Sequence, residues 1–185
     1  MPDEFEILEA QPTGYAAKAA GRPDLPFMRA HAARWIALAF GAGLAPFAPG
    51  TFGTLWAWAV FVFLSQWVDS ATWGWIIALG TLVGWWACTL TARDLRIADP
   101  SCVVWDEVLA FWLILWLIAP AGFWAQLIAF LLFRYFDAAK PQPVRWADQA
   151  FKGKGWRGGF GIIFDDFVAA FCTLLVIALW RYVAG

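Results

Sequence analysis

Apolar residues run in long stretches separated by polar segments of very unequal length, the pattern of helices that cross a bilayer. Five stretches reach or approach the roughly 20 residues such a helix needs: 54–68, 73–92, 108–119, 122–136 and 167–183. The first, third and fourth are short, so either their helices extend into flanking polar residues or one crosses incompletely. Upstream, HAARWIALAFGAGL at 31–44 is too short to span and predicts an interfacial or re-entrant helix. Residues 1–30 hold Pro2, Pro12, Gly14, Gly21, Pro23 and Pro26 without periodicity and are expected as a polar tail. The expected fold is all-α: a polytopic membrane helical bundle, with one membrane-embedded domain over 31–185.

Composition strengthens this reading, since the chain is 62% hydrophobic, 19% aromatic and only 15% charged over 185 residues. Trp56, Trp58, Trp67, Trp73, Trp105, Trp146 and Trp180 lie near the ends of the apolar stretches, where indole rings suit the headgroup layer. Acidic residues at 3, 4, 6 and 9 stand where a secretory signal would be basic. Cys88, Cys102 and Cys172 lack zinc or redox spacing and are expected as buried apolar side chains.

The net charge of −1 hides a strong segregation. If all five stretches cross, one side receives the N-terminus and the long polar loops at 93–107 and 137–166. Of the 13 basic residues only Arg181 falls on the other side, so the loop-rich side is expected to be cytoplasmic. Asp94, Asp99, Asp106, Glu107, Asp137, Asp148, Asp165 and Asp166 reach that same side, with Asp69 opposite.

Helices beginning on the cytoplasmic side direct their unpaired N–H groups and positive dipole ends to one layer, which suits a phosphate. The Gly/Pro-rich turn at 41–54 offers close backbone approach, with Thr51 and Thr54 as hydroxyl donors or simply as helix caps. Single acids at helix starts also read as caps. The repetition of adjacent pairs, Asp106-Glu107 and Asp165-Asp166, with Asp137 at the same boundary, is not explained by capping, because paired carboxylates there repel and are desolvated. A shared cation would relieve both costs. Ligands that are all oxygen favour a hard ion such as Mg²⁺, held by Asp106, Glu107, Asp137, Asp165 and Asp166, with Asp94 or Asp99 nearby. Lys140 and Arg145 are candidates for phosphate oxygens, or for anionic lipid.

Other phosphatase chemistries lack their parts: there is no Cys-x5-Arg loop, no second His beside His31, and no DxDx[TV] nucleophile. Metal-activated water with a carboxylate base is what remains. The alternatives are a cation-coupled transporter or channel using the same acids, disfavoured by the absence of a deep mid-span charge, and a phosphotransferase, whose DGxxAR signature is missing.

Four blocks resemble the phosphatidylglycerophosphatase A family: GLAPFAPGTFGT at 43–54, DPSCVVWDEVLAF at 99–111, RYFDAAKPQPVRWAD at 134–148 and GGFGIIFDDFVAA at 158–170. Ala110 and Ala170 stand where the family often has Gly. The resemblance implies Mg²⁺-dependent hydrolysis of phosphatidylglycerophosphate at a bacterial inner membrane. The expected partners are that phospholipid and the membrane, with no nucleic acid; no oligomeric state is implied.

Overall fold

A computed structural model describes residues 23–184, and among these all regular structure is helical. Two short helices come first, α1 (Leu25–Arg29) and α2 (Ala32–Ala37), followed by a 3₁₀ segment, Ala39–Leu44. Long helices follow: α3 (Pro49–Leu64), α4 (Ser70–Leu95), α5 (Trp105–Ile118) and α6 (Phe123–Ala139). The short α7 (Val144–Ala150) precedes the longest helix, α8 (Gly155–Ala184).

Most of the expected tail lies outside the described residues. Its last part does not behave as a tail, because Asp24 caps α1 by accepting from Phe27 N at 2.9 Å and the helix buries Phe27 and Met28. The expected short helix at 31–44 is broken. His31 caps α2, but the backbone turns left-handed at Ala39 and Phe40 (φ 44° and 55°) and continues as 3₁₀. Arg34 fastens this unit to α4. Its guanidinium donates to Asp94 Oδ2 from Nε (3.1 Å) and Nη2 (2.7 Å) and lies 4.1 Å from the Phe27 ring centroid. Asp94 is therefore committed to a structural pair and is not beside the other acids.

All five predicted stretches are helices, but two of them, α4 at 26 residues and α8 at 30, are long and apolar enough to cross a bilayer by themselves. The 16-residue α3 is apolar but shorter, and α5 and α6 span 14 and 17 residues. The largest shift in bounds is at α8, which begins at Gly155 rather than near 167. Asp165 and Asp166 consequently lie well inside a helix and not at its N-terminus, so the dipole argument holds for α3 and α5 alone.

Helix α5 is the axis of the bundle. Its Val108, Leu109, Ala110, Phe111, Ile114 and Leu115 are fully or almost fully buried, with α3, α4, α6 and α8 packed around it. A helix apolar on every side belongs in such a place. Trp73 and Trp105, expected at the headgroup layer, are instead buried in this core; from α5, Trp105 Nε1 donates to Gly80 O at 3.1 Å and Trp112 Nε1 donates to Ala57 O at 2.8 Å. Each indole thereby tethers α5 to a neighbouring helix backbone while keeping its N–H paired. Trp67, Trp146 and Trp180 are exposed, as an interfacial role requires.

Helices α4 and α8 pack closely at Gly159, where any Cβ would overlap Thr89 Oγ1 and crowd the Thr89 backbone. Gly159→Ala is expected to cost about 2 kcal/mol by pushing α8 off α4. Gly122→Ala, whose added methyl meets nothing within 4 Å, is expected to cost no more than about 1 kcal/mol, the preference for Gly over Ala at a helix N-cap. Thermal unfolding of the two variants in detergent checks the difference.

Candidate active site

The first turn of α5 carries Asp106 and Glu107, whose charges complement the positive end of the helix. Glu107 lies along the start of α3, and only a glycine at position 50 leaves room, because a Cβ there would overlap Glu107 Oε1. Behind it, Thr54 is fully buried and its hydroxyl donates to Gly50 O at 2.9 Å.

Across from α3, the last turns of α6 place Arg134, Asp137 and Lys140 at intervals of three residues, hence on one face. A carboxylate near a helix C-terminus is opposed by the dipole. Arg134 compensates, its Nη1 lying 2.7 Å from Asp137 Oδ2 and 3.2 Å from Glu107 Oε1. Nη1 also donates to Thr54 Oγ1 at 3.3 Å, while Nε and Nη2 have no acceptor among the described residues. The chain leaves α6 through Lys140, left-handed at φ 42°, and the Lys140 ammonium bridges two helices, donating to Asp148 of α7 (2.5 Å) and Asp165 of α8 (2.6 Å).

These groups line a cavity of about 270 Å³ together with Ala48, Pro49, Asp99, Ser101 and Ile162. Six carboxylates on its wall, Asp99, Asp106, Glu107, Asp137, Asp165 and Asp166, face two cations, Arg134 and Lys140. Desolvation by burial pushes the Asp99 carboxyl above the usual carboxylate range. Burial works against the charge of Lys140 too, but its hydrogen bonds to Asp148 and Asp165 outweigh it and hold the ammonium above its ordinary value. Asp148 responds in the opposite direction: burial raises it, and the bond from Lys140 more than reverses that.

One ligand oxygen each from Glu107, Asp137 and Asp166 lie within 4.8 Å of one another. Asp106 Oδ1 and Asp166 Oδ2 are buried without a hydrogen-bond partner among the described residues. Buried oxygens of this kind cost free energy unless something donates to or coordinates them. An oxygen-only set, three-sided and partly unpartnered, fits a hard divalent cation.

The structure brings together Asp99, Asp106, Glu107, Asp137, Lys140, Asp165 and Asp166 among the residues singled out by sequence. It does not bring Thr51, Thr54 or Arg145 to the cavity wall. Thr54 sits behind Glu107 and Arg134, supporting both. Arg145 is exposed, because α6 stops at the Lys140 turn ahead of Pro141 and Pro143 and α7 starts afresh at Val144. Sequence reasoning did not assign Arg134 and Ser101 to the site. For Arg134 a signal existed: it stands one turn before Asp137, on the face that carries Lys140.

The profile of the family described as Phosphatidylglycerophosphatase A matches residues 35–181. A relative of that name from Escherichia coli (strain K12) is 37% identical over 138 residues, 72% of this chain and 74% of its own length. Another of the same name, from Haemophilus influenzae, is 34% identical over 147 residues, 80% of this chain and 87% of its own. A Bacteroides thetaiotaomicron relative, provisionally named a phosphatidylinositol-3-phosphatase, is 36% identical over 161 residues, 81% of this chain and 94% of its own. No solved structure matches the chain.

Divalent cation binding at the Glu107, Asp137 and Asp166 oxygens predicts a cation-dependent gain in stability, roughly 2.7 kcal/mol at 100 times the dissociation constant. In a Mn²⁺ titration followed by thermal unfolding, Asp166→Asn and Glu107→Gln should lose most of that gain and Arg145→Gln should keep it. Equal stabilisation of the parent and Asp166→Asn would place the cation elsewhere.

Proposed function

Because the chain belongs to the phosphatidylglycerophosphatase A family, we propose that it hydrolyses phosphatidylglycerophosphate to phosphatidylglycerol and inorganic phosphate in phospholipid biosynthesis. The observation that carries the reading is the convergence of Glu107, Asp137 and Asp166 within 4.8 Å, on a cavity that also exposes Arg134 and Lys140. An acidic cage and two cations on one wall suit a phosphomonoester and the ion that accompanies it.

Glu107, Asp137 and Asp166 are the proposed holders of Mg²⁺, with Asp165 and Asp99 beside them. The bound ion supplies Lewis acidity toward the phosphoryl group and lowers the pKa of water. Arg134 keeps Nε and Nη2 for phosphoryl oxygens, and Lys140 keeps the one ammonium N–H that Asp148 and Asp165 do not use. Asp106, with Oδ1 unpartnered and close to the same space, is placed to take the proton from attacking water. Water forms the new bond to phosphorus as the glycerol oxygen leaves; that oxygen takes a proton from solvent, and Asp106 gives its own proton back to solvent.

The proposed setting is the bacterial inner membrane, with all five long helices crossing and both the N-terminus and the cavity cytoplasmic. Two features support it. The starts of α3, α5 and α8 and the ends of α4 and α6 contribute to one end of the bundle, as alternating crossings require. That end also carries the basic residues from Arg93 to Arg157, with Arg181 at the opposite terminus of α8. The acyl chains stay in the bilayer and the headgroup enters the cavity from the interface.

Purified protein should release phosphate from phosphatidylglycerophosphate only when Mg²⁺ is present. Asp106→Asn and Asp166→Asn should each lower the rate on the order of 100-fold, equivalent to ~2.7 kcal/mol of transition-state stabilisation. Unchanged release in both variants would sink the assignment, and preference for phosphatidylinositol 3-phosphate would move the substrate to the other lipid. A cysteine introduced at position 149, exposed on α7, should react with an impermeant maleimide only from the cytoplasmic side in a Cys172→Ala background, where the remaining Cys88 and Cys102 are buried. Labelling from the outside would invert the topology.

A further inference from the structure

We propose that Asp148 is a positioning residue that sets the Lys140 ammonium for phosphate, a role that rests on the phosphatase reading of the cavity. Asp148 does not line that cavity. It lines a smaller neighbouring depression of about 20 Å³ with Lys152 and Gly153, so it reaches a bound phosphate only through Lys140.

Lys140 ends a helix and carries a flexible four-carbon side chain, which by itself would sample many positions. Two carboxylates from different helices remove that freedom, Asp148 on α7 at 2.5 Å and Asp165 on α8 at 2.6 Å. An ammonium has three N–H donors, and this arrangement commits two, leaving one direction for a ligand. Asp148 is itself held, since Lys152 Nζ lies 3.3 Å from its second oxygen one helical turn on. Without Asp148 the ammonium has one fixed partner, Asp165, and collapses onto it, drawing the positive charge from phosphate and a negative charge from the cage. The whole of α7 thus acts as a bracket for one cation, which gives Asp148 a role although it does not line the cavity.

The test uses the full chain in detergent with Mg²⁺ present, measuring inorganic phosphate binding by calorimetry and steady-state kinetics on phosphatidylglycerophosphate. Asp148→Ala should weaken phosphate binding about tenfold and raise KM by a similar factor, with kcat within about threefold. Asp148→Glu should restore most of the affinity, and in a Lys140→Ala background Asp148→Ala should cost nothing further. Phosphate binding unchanged in Asp148→Ala, or costs that add independently in the two backgrounds, would overturn the proposal. So would a loss of Mg²⁺ affinity with phosphate affinity intact, which would make Asp148 a partner of the ion. If the parent binds phosphate and Asp148→Ala loses it, but no lipid is hydrolysed, the functional reading fails and the positioning role stands.

Discussion

Repulsion among carboxylates gathered at the end of an apolar bundle governs what the rest of this chain has to do. Asp106, Asp165 and Asp166 are buried, and Glu107 and Asp137 are only slightly exposed. Each is drawn out of water and set among like charges, and both effects cost free energy that the fold has to offset. Arg134 between Glu107 and Asp137, and Lys140 between Asp148 and Asp165, offset part of that cost from within the chain. The remainder, visible as unpartnered oxygens on Asp106 and Asp166, is what an added cation would relieve.

Holding such a site requires stiff walls, and the bundle supplies them by backbone proximity and paired indoles. Gly159 lies against Thr89 and lets α8 pack directly on α4, so the Asp165-Asp166 pair is carried on a helix held closely by its neighbour. Trp105 and Trp112 tie α5 to α4 and α3 through N–H bonds to backbone carbonyls, fixing the turn that presents Asp106 and Glu107. Ala110 and Ala170 are fully buried, their methyls taken up in the packing between helices. Around the cavity, Gly50 gives up its side chain so that Glu107 can lie against α3.

Much of this was legible in the chain because hydrocarbon imposes a coarse rule that sequence obeys visibly. Helical class and the five apolar segments followed from run length, and alternating the direction of successive helices brings the long loops and their acids to one end of the bundle. Lys140 and the pairs at 106–107 and 165–166 could be singled out because charge next to such segments is costly and so conspicuous. Exact ends were less visible: Gly-rich residues 155–161 read as loop, yet they extend α8 because missing side chains let it pack closely on α4 and on the loop after α7.

The sequence by itself determined which residues bear charge, which segments are apolar, and therefore that a polar site would form at one end of a helical bundle. Tertiary structure alone decided which charges meet. Arg34 takes Asp94 away from the acids, Thr54 is turned behind Glu107, and a chain reversal after Lys140 moves Arg145 outward and brings Asp148 in. The physical reason is one of range. Segment type depends on the transfer of a local run of side chains, whereas an ion pair depends on ångström-level distances between helices, set by glycine contacts and indole packing that a one-dimensional pattern does not encode.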